Sequence, residues 1–139
     1  MEYKEIVSIS GKSGLYRVVN QKSNGIIVTS LETGKSEFVA LRQNALSYLD
    51  NTALFVKNAD SDSIEIINVF RDMLKKEGEN PLPDTNADAK TITAYFSAVI
   101  PNYDDEKVHV SDMKKILKWF SNLKKHNLIS VEQETDKKD

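Results

Sequence analysis

The stretch LYRVVNQKSNGIIVTSLETGKSEFVAL, residues 15–41, decides the expected fold of the first half of this chain. It is rich in β-branched and aromatic residues, which favour strands. Asn24-Gly25 predicts a tight turn, because both residues tolerate a positive φ. Glu32-Thr33-Gly34-Lys35 supplies the turn chemistry for the next reversal of the chain. The three strands predicted here lie at 15–21, 25–31 and 36–41.

Two more strands are expected outside this stretch. Residues 5–10 alternate between apolar and polar side chains, and a turn at 11–14 leads from them into the quoted segment. Residues 42–51 are expected to be irregular or a single helical turn, and 53–57 to form a last short strand. Turn signals spaced by about 8–12 residues favour closure into a barrel over an open curled sheet. We therefore expect a five-stranded SH3-like small β-barrel.

The pattern changes to helical spacing after residue 59. Asp62 and Glu65 have the spacing of a capping box, so Asp62 or Ser63 is expected to begin a first helix that ends at Gly78. A proline-containing linker follows. Apolar residues at helical spacing then predict a second helix over 87–100.

A third helix is expected over 112–126, with Ser111 as its cap and Asn127 as a left-handed stop. It should pair with the second helix through their apolar faces. The residues predicted to form this pair are Ile92, Tyr95, Phe96 and Val99 against Ile116, Phe120 and Leu123.

The predicted fold class is α+β, a small β-barrel followed by three α-helices. Each part alone has a thin core, so we expect barrel and helices to share an interface. The predicted segments are 1–58 for the barrel, 59–83 for the first helix and linker, 84–129 for a helical hairpin domain, and 130–139 for a flexible tail.

The composition is that of an ordinary globular protein: 139 residues, 40% hydrophobic, 29% charged, and a net charge of -2. These values exclude a collagen-like, membrane-spanning or wholly disordered chain. The absence of cysteine excludes disulfides, thiolate zinc sites and thiol nucleophiles. The sequence shows no apolar run of signal-peptide or membrane-span length, so we expect a cytoplasmic protein.

The charge is unevenly placed along the chain. Residues 61–106 carry 4 basic and 10 acidic side chains, whereas 107–129 carry 6 and 1. Three lysines of the third helix, Lys114, Lys118 and Lys125, lie opposite its apolar stripe, and Lys115 flanks them. A tryptophan lies at the margin of the stripe. We call these residues the lysine face, a candidate surface for an anionic partner: Lys114, Lys115, Lys118, Lys125 and Trp119. It is a solvated or internally balanced surface, a phosphate-binding surface on which the tryptophan stacks on a base, or a site for an acidic protein.

No motif supports catalysis. Gly11-Lys12-Ser13 lacks the upstream glycine and the following helix of a phosphate-binding loop, so it is interpreted as a turn. His109 and His126 have no partner at metal-ligand spacing. We therefore expect a non-enzymatic protein with no catalytic, cofactor-binding or metal-binding residues, and no cofactor.

Several segments resemble a bacterial family of short cytosolic proteins described only as a domain of unknown function. They are ISGKSGLYRVV (9–19), NGIIVTSL (24–31), YF (95–96), PNYD (101–104) and VSDMKKI (110–116) with Trp119. The resemblance spans about residues 3–128 and implies an N-terminal SH3-like part followed by a helical part. It implies no reaction, cofactor or catalytic residue.

Three hypotheses for function follow. The favoured one is a cytosolic protein-interaction module that holds a protein partner through barrel loops or an exposed strand edge. The alternative is a nucleic-acid-associated accessory protein that uses the lysine face. The second alternative is a small-ligand binder or enzyme with a pocket between barrel and helices, towards which His109, Tyr16 or Tyr103 would converge. No membrane partner is expected.

Overall fold

The computed structural model describes residues 3–42, 44–57 and 61–129. Its contacts divide the chain into two compact units. Unit 1 contains the residues up to Thr52 together with Lys118–Leu128, and unit 2 is built around Ala53–Leu117. The segment boundaries expected from the sequence stay predictions, and the expected tail at 130–139 lies outside the described residues.

Unit 1 contains a five-stranded antiparallel sheet with the strand order β4-β3-β2-β1-β5. Short 3-10 helices at Tyr3–Glu5 and Leu49–Asn51 flank it in sequence. The strands are β1 (Ile6–Ile9), β2 (Leu15–Lys22), β3 (Gly25–Ser30), β4 (Ser36–Ala40) and β5 (Leu46–Tyr48). The first four confirm the strands expected from residues 5–41.

The expected closure into an SH3-like barrel is not confirmed, because the sheet is open, with β4 and β5 at its two edges. The fifth strand also differs from the prediction. It is Leu46–Tyr48, inside the segment expected to be irregular or helical, and it pairs with β1. Three residues in a polar context are too short to show a period of two, which is why the pattern missed them.

The sheet buries most of its apolar side chains on one face. One face carries a cluster formed by Val7, Ile9, Tyr16, Ile26, Val28 and Val39, with Val18, Leu46 and Tyr48 packed at its border. On the neighbouring positions of β1 and β2, Ile6 and Leu15 are also fully buried. Both faces near β1 and β2 are therefore covered, which is typical of central strands.

The turn between β2 and β3 forms where expected, but by different means. Lys22 pairs with Gly25, so the loop is Ser23-Asn24, and neither loop residue has a positive φ. Gly25 belongs to the strand. A Cβ there would overlap the Phe38 ring and the Val39 carbonyl oxygen of β4. The glycine is needed for close approach and not for its freedom in φ.

Unit 2 begins with a hairpin of two short strands, β6 (Ala53–Phe55) and β7 (Ser63–Glu65). The segment expected to be the last barrel strand therefore pairs with β7 in a separate sheet. The capping box at Asp62 and Glu65 is wrong, because these residues precede or belong to β7. The helix α1 runs over Ile66–Lys75, its N-cap Glu65 makes no side-chain cap bond, and it ends three residues before Gly78.

The two later helices lie within two residues of their predicted bounds. They are α2 (Ala89–Val99) and α3 (Val110–Lys125). Asp88 caps α2 with a side-chain bond from the Thr91 N–H. Ser111 lies inside α3 and does not cap it, whereas Asn127, at φ 56°, confirms the left-handed stop.

The predicted apolar faces of α2 and α3 are buried, and the pairing of their residues stays a prediction. The division between the units falls within α3, after Leu117. Within the described residues, no helix has the length and apolar character needed to span a membrane.

Candidate functional site: the lysine face and the open edge of the sheet

Two residues of the lysine face hold the end of α3 against the sheet of unit 1. The Lys118 ammonium donates to Ser13 Oγ at 2.9 Å and lies 3.4 Å from Glu32 Oε2. The Lys125 ammonium donates to the Glu32 carbonyl oxygen at 3.2 Å. Each lysine is thus engaged by a turn that follows a strand, which gives it a local structural role.

A buried hydrogen bond fixes the same end of α3. Asn122 is 5% exposed, and its Oδ1 accepts the Leu15 N–H at 2.9 Å. Gly14, at φ +78°, lies so close that a Cβ there would be 3.1 Å from this oxygen and 2.8 Å from Glu32 Oε1. The turn at 11–14 is therefore an attachment point for the helix, beyond the turn that the sequence predicted.

The sequence did not single out Asn122, although one signal was present. It is a polar residue one position before Leu123, within reach of the apolar stripe of α3. A polar residue at such a position in a helix is expected to have a hydrogen-bond partner when buried. Nearby, His126 Nε2 lies 2.9 Å from the Leu31 carbonyl oxygen, a further link between α3 and the sheet.

The remaining members of the lysine face are placed differently. Lys114 and Lys115 are exposed, and they lie in the part of α3 that belongs to unit 2. Trp119 is half-buried and lies in unit 1. The role of the lysine face in binding an anionic partner stays a prediction.

The residues suggested for a ligand pocket have other local roles. Tyr16 is 8% exposed within the core cluster of the sheet. Tyr103 forms a backbone bridge with Val56, and the His109 N–H donates to Asp112 Oδ2 at the start of α3. None of the three lines the shallow groove of about 440 Å³ in unit 1, which borders Val19 of β2. No group of three His, Asp or Glu side chains among the described residues could hold a metal ion.

The sheet carries a second candidate feature, the outer edge of β4. Its register with β3 is regular over five pairs, from Gly25 opposite Ala40 to Thr29 opposite Ser36. At one end the Ser30 N–H donates to the Lys35 carbonyl oxygen at 2.9 Å. At the other the Leu41 N–H donates to the Asn24 carbonyl oxygen at 3.3 Å.

These two bonds determine which backbone groups of β4 face outward. Hydrogen-bonded residues alternate along an antiparallel strand. Since Lys35 and Leu41 bond towards β3, so do Glu37 and Val39. The N–H and C=O groups of Ser36, Phe38 and Ala40 therefore point away from the sheet. We call these three residues the open edge.

Little occupies the open edge within the described part of the chain. The Ala40 carbonyl oxygen accepts a hydrogen bond from Asn44 Nδ2 at 3.0 Å. The Ser36 hydroxyl makes a 2.8 Å hydrogen bond with the Thr29 hydroxyl, which uses the side chain and leaves the main chain open. Within the described residues, the main-chain groups of Ser36 and Phe38 and the N–H of Ala40 therefore remain available for hydrogen bonding to another strand.

The side chains at this edge are apolar or already paired. Phe38 is 48% exposed, and the neighbouring Leu41 is 46% exposed. Glu37 forms an ion pair with Lys12 at 3.0 Å. The hydrogen bond and the charge of Glu37 both raise the pKa of the Lys12 ammonium, which stays charged at neutral pH. The edge therefore combines open backbone groups, an exposed aromatic ring and a neutralised charge.

Comparisons with known proteins bear on the whole chain. Residues 3–49 match the domain of unknown function DUF5606, and residues 53–123 match the domain of unknown function DUF6852. A solution NMR structure from Bacteroides vulgatus, determined by the Northeast Structural Genomics Consortium, is similar at a TM-score of 0.68. It is 29% identical, and the match covers 93% of this chain and 90% of that chain. No curated protein matches.

These matches confirm the resemblance to domains of unknown function. The DUF6852 match covers just over half of the chain. The chain belongs to the DUF6852 family.

Proposed function

We propose that this chain is a non-enzymatic protein-interaction module of the bacterial cytoplasm, and that its docking surface is the open edge of β4. The observation that carries the proposal is the exposed Phe38 on a regular strand whose outward backbone groups have few partners in the described residues. Such an edge takes up an extended segment of a partner by main-chain hydrogen bonding.

The composition of β4 supports this proposal. Edge strands invite pairing with other chains, and proteins usually block them with proline, bulges or charged residues. The strand Ser36–Ala40 contains no proline and pairs without a bulge. Its single charged residue is Glu37, whose charge is balanced by Lys12. The edge is therefore left accessible.

The test compares two lysine substitutions at apolar side chains of similar exposure. Phe38→Lys places a charge on the open edge, whereas Val19→Lys, at a residue 51% exposed in β2, leaves that edge intact. The unmodified chain and both variants serve as bait in cell extract. We expect a protein that is retained by the unmodified chain and by Val19→Lys but is lost with Phe38→Lys. Equal recovery on all three baits would contradict the proposal.

Amide hydrogen exchange on the purified complex locates the contact. The amides of Ser36, Phe38 and Ala40 should exchange quickly in the isolated monomer and slow when the partner is added. Protection that appears elsewhere and leaves these three amides unchanged would place the partner on another surface.

A nucleic-acid-associated function is the second candidate, favoured by the exposed Lys114 and Lys115. Two other members of the lysine face, Lys118 and Lys125, already bond to the sheet of unit 1. The discriminating measurement is binding to labelled RNA and DNA at roughly 50 and 200 mM salt, over which several phosphate contacts weaken affinity by orders of magnitude. Salt-sensitive binding lost in Lys114→Glu with Lys115→Glu would favour this candidate over the module. No binding at low salt would exclude it.

A further inference from the structure

We infer that the partner on the open edge is a second copy of this chain, with β4 paired antiparallel to β4 across a two-fold axis at Phe38. This inference rests on the proposed function and names its partner. An edge that meets its own copy in this way forms a self-complementary interface, the kind found in the commonest homodimers.

The hydrogen-bonding pattern of β4 suits this pairing. With Phe38 on the axis, Phe38 lies opposite its counterpart and Ser36 opposite Ala40. These are the residues whose main-chain groups point outward, so they form hydrogen-bonded pairs. The result is about six main-chain bonds, two for each of three pairs. The Ala40 oxygen can accept one of them beside its bond from Asn44, because a carbonyl oxygen has two lone pairs.

The charged residues in and beside β4 favour this register over the registers shifted by two residues. It places Glu37 opposite Val39 and Lys35 opposite Leu41, so no like charges face each other directly. A shift by two residues in one direction would put Glu37 opposite Glu37, which is unfavourable. A shift by two residues in the other direction would leave only Phe38 and Ala40 of β4 in hydrogen-bonded pairs between the two strands.

The exposed ring gives the dimer its apolar contact. The two Phe38 side chains would lie on the same face at directly opposed positions. Each ring packs over Gly25 of β3 in its own copy, so the contact across the axis would cover the part of the ring that stays exposed. Opposed aromatic residues are favourable cross-strand pairs. Glu37 from each copy lies diagonally across the axis, and its ion pair with Lys12 reduces the repulsion between them.

The full chain has no cysteine, so an introduced cysteine reports a single position. Residues at a hydrogen-bonded antiparallel pair are about 5.5 Å apart between Cα atoms, within disulfide range. We expect Phe38→Cys to form a disulfide-linked dimer under mild oxidation at least about tenfold faster than Val19→Cys, the control of matched exposure. Equal rates for the two variants would overturn the inference.

Mass measurement in solution provides the second readout. Light scattering or sedimentation of the full chain from about 10 μM to 1 mM should show growth from 15.7 kDa towards twice that mass. Phe38→Lys should raise the dimer dissociation constant at least about tenfold, because it opposes two like charges. Val19→Lys should leave it unchanged.

Ala40→Pro keeps the inference testable if Phe38→Lys fails to fold. Proline there removes an outward N–H and no bond to β3, so the sheet should persist while the dimer weakens. A chain that stays monomeric at the highest concentration overturns the inference. If another protein still binds in a manner that depends on Phe38, the proposed function survives that result. If neither the chain itself nor any other protein uses this edge, both fail.

Discussion

At the scale of single residues, Gly25 and Asn122 have structural roles in unit 1 that their residue types alone do not reveal. Gly25 allows β4 to approach β3, and its missing side chain makes room for the Phe38 ring. Asn122 satisfies the buried N–H of Leu15 from the end of α3. In both cases the neighbour across space, and not the neighbour in sequence, gives the residue its role.

Gly25→Ala should destabilise unit 1 by about 1–3 kcal/mol, the usual cost of forcing extra atoms into a packed site. The added methyl group would displace the Phe38 ring and press on the Val39 carbonyl oxygen, which cannot move without shifting the strand. The free energy of unfolding in denaturant is the measurement. Gly78→Ala is the control, because open space surrounds that position. Equal stabilities for the two variants would contradict the close approach.

Asn122→Leu should also lower the free energy of unfolding, by about 1–3 kcal/mol. Leucine has the same branching at Cγ but no acceptor, so the Leu15 N–H would remain buried without a partner. Ser121→Ala, at the exposed neighbouring position, should stay within about 0.5 kcal/mol of the unmodified chain. If Asn122→Leu were as stable as this control, the hydrogen bond between Asn122 and Leu15 would contribute nothing to the free energy of unfolding.

At the scale of elements, the helices differ in how they begin. At the start of α1, Glu65 is still the last residue of strand β7 and makes no side-chain cap bond. At the start of α2, Asp88 Oδ1 accepts the Thr91 N–H at 2.9 Å. A side-chain hydrogen bond with Thr91, and after it this backbone bond, hold the pKa of the Asp88 carboxyl below its usual range. A carboxylate there also suits the positive end of the helix dipole.

Asp88→Ala should therefore lower stability at neutral pH, and Asp88→Asn should lower it less, because asparagine is also a good cap. The pKa of Asp88 is depressed in the folded state, so its stabilisation is present above the unfolded-state pKa. It is lost as the pH falls through the folded-state pKa. Thermal unfolding of the three chains between about pH 2 and pH 7 is the measurement. A difference between the unmodified chain and Asp88→Ala that stayed constant down to the lowest pH would contradict this account.

At the scale of the whole molecule, the units do not follow the order of the chain. Unit 1 needs the sheet from the N-terminal part and Lys118–Leu128 from the C-terminal part. The contacts between these segments include a buried hydrogen bond, two lysine bonds and the contact of His126 with Leu31. The N-terminal segment is therefore an incomplete unit when it is isolated.

The fragment 1–58 should consequently unfold at lower denaturant concentration than the full chain, and less cooperatively. The fragment retains all five strands of the sheet. It lacks α3, and with it the Asn122 oxygen that accepts the Leu15 N–H. Circular dichroism during denaturant unfolding is the measurement, with the full chain as reference. A fragment that unfolded as cooperatively and at the same midpoint as the full chain would show that α3 adds nothing to the stability of the sheet.

By itself, the sequence determined where most strands, turns and helices lie and which residues form the apolar faces of α2 and α3. Three signals are local: alternation in β1, β-branched and aromatic residues between turn signals in β2–β4, and helical spacing in α2 and α3. They can therefore be recognised without knowing the partner of each element. It also determined that Asn127 would end α3 in the left-handed conformation.

Only the tertiary structure decided which elements pair and which surfaces stay open. Ala53–Phe55 was recognisable as a strand, but its pairing with Ser63–Glu65 left the sheet of unit 1 to be completed by the three residues of β5. The lysine face was recognisable as a pattern, whereas its partial use against the sheet was not. The sequence suggested an exposed strand edge but not which strand provides it, because the residues of a strand do not show whether both of its sides are paired.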